Sequence, residues 1–338
     1  MVSIIITTYG DPTTLRRAIE SVLNQTYKDF EILVVDDNSP ETKNRKKTEK
    51  LMEDFRDELR IQYIKHSKNR NGAAARNTGI KVAKGKYIGF LDNDDFFVPT
   101  KLEKCINLLE KNPDTNIILT NVLVFRNNKL NAMLDFSKQN YSAFDLMKNI
   151  NILGTGSNLF LTKQLCMNLD GFDEGFIRHQ DIEFMVRALE IGTVKVIPQF
   201  LTVKVHTGNN IPDYHNLKNV KKQFTNKFDY IIKKQSEEDK KQYFINMMSN
   251  LFDVSVASGN REYIREALLD LKKTGKVSLK QRLFVMAPKL RDYIYILNSA
   301  RKEKVLRLEY NRKISGLDCE FIKKMIALDT RVNIKSQA

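Results

Sequence analysis

Carboxylates gather at a few points of this 338-residue sequence. Asp36-Asp37-Asn38-Ser39 follows one apolar stretch, and Asp92-Asn93-Asp94-Asp95 follows another. Thr7-Thr8-Tyr9 closes a third apolar stretch, Val2 to Ile6. Set side by side, these ends bring five aspartates, two threonines and a tyrosine to one edge. Carboxylates at that density repel one another unless a cation sits among them, and hard oxygen ligands suit Mg²⁺ or Mn²⁺. No GxGxxG follows the first stretch and there is no Walker-type glycine loop, so phosphate charge would be met by metal. That argues against an NAD enzyme and against a P-loop NTPase. The three cysteines, Cys105, Cys166 and Cys319, are far apart and lack metal-ligand spacing, as in a reducing compartment without disulfides.

The elements that must position these groups are legible in the periodicity. Val2–Thr7, Phe30–Val35, Ile61–Ile64 and Lys86–Leu91 read as short, β-branched, nearly continuous strands. Asp11-Pro12 opens a helix with an apolar face of Leu15, Ile19, Val22 and Leu23. Further helices are expected over Thr42–Leu59, Ala73–Ala83 and Lys101–Lys111, with a strand over Ile117–Phe125. Strands that alternate with helices about every 30 residues predict right-handed βαβ units and a parallel sheet covered on both faces. Ligands then bind beyond the C-terminal strand ends, where the aspartates are. The stretch from Asn127 to Asn151 is less regular. Beyond about Pro212, Gly and Pro become rare and Lys, Glu, Leu, Ile and Phe recur at helical spacing.

Six segments in order resemble family 2 glycosyltransferases over about residues 1–210. They are Ser3–Tyr9, Leu23–Tyr27, Glu31–Ser39, Asn71–Ile80, Gly85–Asp95, and Asp170–Glu174 with Gln180-Asp181. The resemblance implies an α/β GT-A fold, a Rossmann-like nucleotide-diphospho-sugar transferase domain over 1–212, followed by an all-helical domain over 213–338. It also implies a UDP-sugar donor, a glycan or lipid-linked glycan acceptor, and inverting transfer in surface polysaccharide or glycoconjugate synthesis. Thr7, Tyr9 and Asp37 would hold the nucleoside, with Tyr9 stacked on the base and Asp37 accepting the uracil imide N–H. Asp37 could instead cap a turn with Ser39. Asn71, Gly72 and Arg76 would face the donor phosphates, together with Asp92 and Asn93. Asp94 would ligate Mn²⁺ or Mg²⁺ directly, with Asp92 on the ribose or on the metal through water; His206 is a further metal candidate or a structural histidine. Thr155, Gly156 and Gln180 would line the acceptor cleft.

Asp181 would be the general base that takes the acceptor hydroxyl's proton. It could also be the N-cap of a helix from Ile182 to Ile191. The family pattern has Glu-Asp where this chain has Gln180-Asp181, and the missing like charge predicts a more easily ionised Asp181. A non-catalytic glycan-binding or scaffold subunit is the competing reading. A nucleotidyltransferase would need a glycine-rich basic loop after the first strand, and Gly10-Asp11-Pro12 is not one.

The net charge is +15. Residues 211–338 carry 27 Lys/Arg against 15 Asp/Glu, so most of the excess lies in the tail. An anionic membrane face, an anionic glycan or a lipid phosphate fits that tail; nucleic acid does not, because base-stacking patches are not interleaved with the charge. The solvated faces of amphipathic helices would give the same composition. Tyr293–Leu297 reads as core or subunit interface, and a helical tail of this length predicts a homo-oligomer. No stretch approaches the roughly 20 apolar residues of a membrane span, and the N-terminus lacks signal-peptide features. The expectation is a cytoplasmic protein, peripheral at the inner membrane face.

Overall fold

The computed structural model describes residues 1–136, 141–149, 152–206, 212–275, 277, 281–282, 306 and 308–335. The N-terminal half follows the expected alternation: β1 (Val2–Thr8), α1 (Leu15–Leu23), β2 (Phe30–Asp36), α2 (Lys43–Glu53), β3 (Ile61–Lys65), α3 (Gly72–Val82) and β4 (Tyr87–Asp92). Asp11 accepts from the Thr13 N–H and caps a short 3-10 turn, Pro12–Thr14, that leads into α1. Thr42 caps α2 through the Arg45 N–H. β3, β2, β1 and β4 are adjacent and parallel, with Thr7 level with Asp92 and Thr8 level with Asp36. The aspartate-bearing ends therefore lie on one edge.

Past β4 the sheet departs from the all-parallel expectation. The remaining elements are β5 (Phe96–Phe97), α4 (Lys101–Lys111), β6 (Ile117–Arg126), β7 (Lys129–Leu134), α5 (Ala143–Lys148), β8 (Phe160–Thr162), α6 (Lys163–Asn168), α7 (Gln180–Ile191) and β9 (Val194–His206). β6 and β9 pair in parallel, but β8 runs antiparallel to β4 and β6, and β5 antiparallel to β9. β7 runs antiparallel to β6 because the link between them is short, and a parallel neighbour needs a crossover of a dozen residues or more. β6 turns straight into β7 through Asn127 and Asn128, both at positive φ (48° and 61°). Two asparagines in that conformation form the tight hairpin turn that matches strand twist, a signal not used in reading Asn127–Asn151 as irregular.

The core lies on both faces of the sheet. One face buries Ile4, Ile6 and Ile32 against α1 and α4; the other buries Ile5, Leu33 and Phe90 against α3, α5 and α7. α3 approaches β1 so closely that a Cβ on Gly79 would fall 2.5 to 2.9 Å from three side-chain carbons of Ile5. Gly79→Ala is expected to destabilise the fold by about 1–3 kcal/mol, the usual range for overpacking, read as a lower midpoint in urea unfolding; an unchanged midpoint would show that α3 can lift off the sheet.

The helices beyond residue 212 are α8 (Tyr214–Lys227), α9 (Asp229–Lys233), α10 (Glu237–Ser258), α11 (Arg261–Lys273) and α12 (Gly316–Lys335). Phe224, Phe228, Ile231, Ile232 and Tyr243 join the same apolar cluster as Phe90 and Phe184. Ile322, Met325 and Ile326 of α12 pack against Leu123, Leu201 and Val203 of β6 and β9. The reading of Tyr293–Leu297 as core or interface lies outside the described residues. Among them, no helix is long and apolar enough to cross a membrane.

Candidate active site

A cleft of roughly 430 Å³ opens at the C-terminal ends of β1, β2 and β4. All nine residues assigned from sequence to the donor side line it: Thr7, Tyr9, Asp37, Asn71, Gly72, Arg76, Asp92, Asn93 and Asp94. Ile177 lines it as well. Tyr9 and Ile177 are 66% and 71% exposed, so two apolar faces stand free at this cleft.

Asp37 is not free to read a base. Its carboxylate meets His66 Nδ1 at 2.7 Å, Asn69 Nδ2 at 2.8 Å, and the backbone N–H groups of Arg70 and Asn71 at 2.9 Å each. A carboxylate offers about four acceptor positions, and protein donors take all of them. The uracil assignment is therefore corrected: Asp37 fixes the 69–71 loop. That loop delivers Asn71, which sits at φ 87° and caps α3 by accepting from the N–H groups of Ala73 and Ala74. Asn71 is thus a helix cap first. Asp36 is buried beneath, ion-paired with Arg45 at 2.8 Å and accepting from the Tyr63 hydroxyl at 2.6 Å.

Arg76, on α3, spans the site. Nη2 donates to Asp92 Oδ1 at 2.6 Å and Nη1 to Gln180 Oε1 at 3.1 Å. Gln180 Nε2 donates to the Phe176 carbonyl at 2.7 Å. Gln180 is therefore committed to the protein at both ends and does not line an acceptor cleft. Asp181 follows it in the first turn of α7. The N-cap is His179, so the capping alternative for Asp181 falls away. Gly156 abuts Asp181: a Cβ there would lie 3.5 Å from Asp181 Oδ2 and 3.6 Å from Arg76 Nη2. The absence of a side chain at Gly156 keeps the space beside the Asp181 carboxylate open.

Asp92, Asp94 and Asp95 can place one carboxylate oxygen each within 4.8 Å of the others. Asp95 escaped the sequence assignment and is the most tied of the three. It accepts from Thr155 Oγ1 at 2.8 Å, Ser157 Oγ at 2.6 Å and the Val205 N–H at 3.1 Å. Thr155 is thereby corrected from an acceptor contact to a support of the acidic motif. Ser157 also accepts from the Asp92 N–H at 3.0 Å. The donor set fits a hard divalent cation, because the three carboxylates lie within reach of a single ion and offer only oxygen ligands. Asp94 and Asp92 face the cleft and would hold it. His206 lies outside this cluster, at the end of β9 opposite Arg126.

Residues 3–167 match the family model described as glycosyl transferase family 2. This chain carries a family 2 glycosyl transferase domain. A glycosyltransferase of Methanocaldococcus jannaschii is 32% identical over 193 residues, 56% of this chain and 64% of that protein. The chain thus spans a little under two-thirds of that relative. WfgD of Escherichia coli, named as a UDP-Glc:α-D-GlcNAc-diphosphoundecaprenol β-1,3-glucosyltransferase, is 28% identical over 232 residues, 68% of this chain and 87% of that one. The crystal structure of Staphylococcus aureus TarS 1–349 in complex with UDP superposes with a TM-score of 0.53 at 15% identity, covering 81% of this chain and 88% of that one. That likeness carries the GT-A fold.

Burial dominates the electrostatics around the cleft. Burial pushes the Asp181 carboxyl up, Arg76 pulls it down and Asp92 raises it. Desolvation is the largest influence on Asp181, so the carboxyl is harder to ionise than an ordinary aspartate even without a Glu beside it. Asp94 is pushed up to about 8 by burial, then Asp95 and Asp92, with Arg17 opposing. His206 is held down to about 4 by burial, then by Lys204 and Arg126, and is neutral at pH 7. Lys204 also pulls down Asp95 and Asp181. Nothing in its surrounding sequence of β-branched residues announces that role.

Lys101 is the other residue sequence reasoning missed. It is wholly buried, donates to the Ser157 carbonyl at 3.0 Å and Thr202 Oγ1 at 2.7 Å, and lies 3.8 Å above the Phe97 ring. Burial holds its ammonium down to about 7. Between pH 7 and 10 the unfolded chain keeps this proton and the folded chain loses it, so stability rises with pH. The stability of the wild type relative to Lys101→Met is therefore expected to climb over that window, by at most about 1.4 kcal/mol per pH unit. Parallel urea titrations at pH 7 and 10 check this; a constant difference would place the ammonium in a solvated environment.

Proposed function

We propose that this chain is an inverting, metal-assisted transferase that moves a sugar from a UDP-sugar to a hydroxyl of a glycan or lipid-linked glycan. The observation that carries the reading is spatial. The donor-side residues share one cleft, and Arg76 bridges its Asp92 to the turn bearing Asp181. Tyr9 offers its ring to the base. A Mn²⁺ or Mg²⁺ ion bound at Asp94 and Asp92 would stabilise charge on the departing diphosphate. Asp181 takes the proton of the acceptor hydroxyl as that oxygen attacks the anomeric carbon, so an α-linked donor yields a β-linked product. The names of the E. coli relatives support a UDP-sugar donor and a diphosphate-lipid acceptor. The basic tail supports peripheral docking on an anionic membrane, read by co-sedimentation with anionic against neutral vesicles, and self-association, read by light scattering.

Screening UDP-sugars with Mn²⁺ for release of UDP tests the reading, with calorimetry for binding. Failure of every UDP-sugar to bind would sink it and leave a glycan-binding subunit that keeps the fold.

A further inference from the structure

A second cavity, of roughly 420 Å³, lies between α5 and α7 on one side and α8 and α10 on the other. His179 and Ile182 reach it from the first turn of α7, the turn that carries Asp181. Lys221 reaches it from α8 and is only 8% exposed. Among the described residues no carboxylate or other acceptor partners its ammonium. Neighbouring lysines on the same helix show what is missing: Lys218 is paired with Glu266 and Asp270, and Lys227 with Asp173 and Glu183. Asp253 is on the cavity wall but is engaged in an interaction of its own.

Lys221 is all but buried and lines this cavity, so its ammonium is poorly hydrated, and an anion entering the cavity would meet a cation that no acceptor among the described residues neutralises. The other polar groups around it are suited to the same ligand. The side chains of Asn250 and His179 on the cavity wall carry N–H donors. A lysine ammonium and N–H donors lining one cavity suit the several acceptor oxygens of a phosphate. Burial holds the Lys221 ammonium down to about 8, so it is still mostly protonated at neutral pH.

We propose that this cavity is an anion site for a phosphoryl group carried by the acceptor, held by Lys221 with His179 and Asn250. The assignment rests on the transferase reading for its acceptor; the anion site itself does not. It makes the appended helices part of substrate selection.

The test is calorimetric titration of the full chain with inorganic phosphate and with a hexose 1-phosphate, without nucleotide or metal. The wild type should bind both, Lys221→Met should bind about tenfold more weakly or worse, and Lys221→Arg should retain binding. UDP affinity serves as the control for folding, and a wild type that fails to bind UDP with metal indicts the donor reading instead. No phosphate binding by the wild type, or binding that survives Lys221→Met, overturns the site. Transfer kinetics then separate the sources. A raised KM in Lys221→Met for phosphorylated but not dephosphorylated acceptors supports the acceptor assignment. An equal KM for both, with phosphate still bound, overturns that assignment in favour of free phosphate.

Discussion

Asp181→Asn is expected to slow sugar transfer by about 10²–10⁴-fold, the contribution of a positioned general base, with UDP affinity nearly unchanged. The substitution keeps size and polarity, so Gly156 and Arg76 keep their neighbour and the donor cleft keeps its walls. What goes is the capacity to take a proton. The pH profile supplies a second reading. Asp181 works as the carboxylate, and its pKa is raised by burial. Transfer should therefore fall as pH drops through a limb above the ordinary carboxylate range near 4. That limb should vanish from the residual activity of the variant. Transfer retained within tenfold would assign the proton to another group or to water.

Asp94→Ala should remove metal-dependent UDP release almost entirely, by more than about 10²-fold if the ion stabilises the leaving group by several kcal/mol. Its effect on stability should have the opposite sign. Asp94 is pushed from an ordinary 3.8 up to about 8. Between those values the folded chain holds a proton that the unfolded chain releases, so this group lowers stability as pH rises through the window. Without metal at pH 7 to 8, the variant should melt no lower than the wild type, and higher if the burial penalty is fully relieved. Loss of activity together with a lower melting temperature would instead make Asp94 a structural residue. Added Mn²⁺ should raise the melting temperature of the wild type and leave that of the variant in place.

Particular residues show what the sequence made legible. The edge was readable because Thr7, Asp36 and Asp92 each end an apolar run, and parallel strands must align those ends. The strand-end residues Thr7, Tyr9, Asp92, Asn93 and Asp94 followed from that edge; Asn71, Gly72, Arg76 and the role of each residue came from the resemblance to family 2 glycosyltransferases. The role that Asp37 has in the structure followed from neither, because its four donors come from a loop thirty residues further on, whose path depends on how β3 leaves the sheet. Asp95 and Thr155 belong together only once β9 crosses beneath them, a parallel partner of β6 that no local pattern announces. Lys101 looks like the first residue of an ordinary amphipathic helix, and its burial is set by Thr202 and Ser157, about a hundred and about fifty residues away respectively. The β6–β7 hairpin escaped notice because its signal is the two-residue turn Asn127-Asn128, which the alternation of longer elements drowned.

The cluster that unites Phe224, Phe228, Ile231, Ile232 and Tyr243 with Phe90 and Phe184 bears on how such enzymes can be re-engineered. A chain cut at residue 212 would leave that apolar surface facing water, at about 25 cal/mol for each Å² uncovered. The region beyond residue 212 is therefore not a cassette to be exchanged between relatives for a new acceptor preference. A chimera would have to divide this molecule along its packing seams, carrying α5 and α7 together with α8 to α10, and the turn bearing Asp181 would travel with the graft.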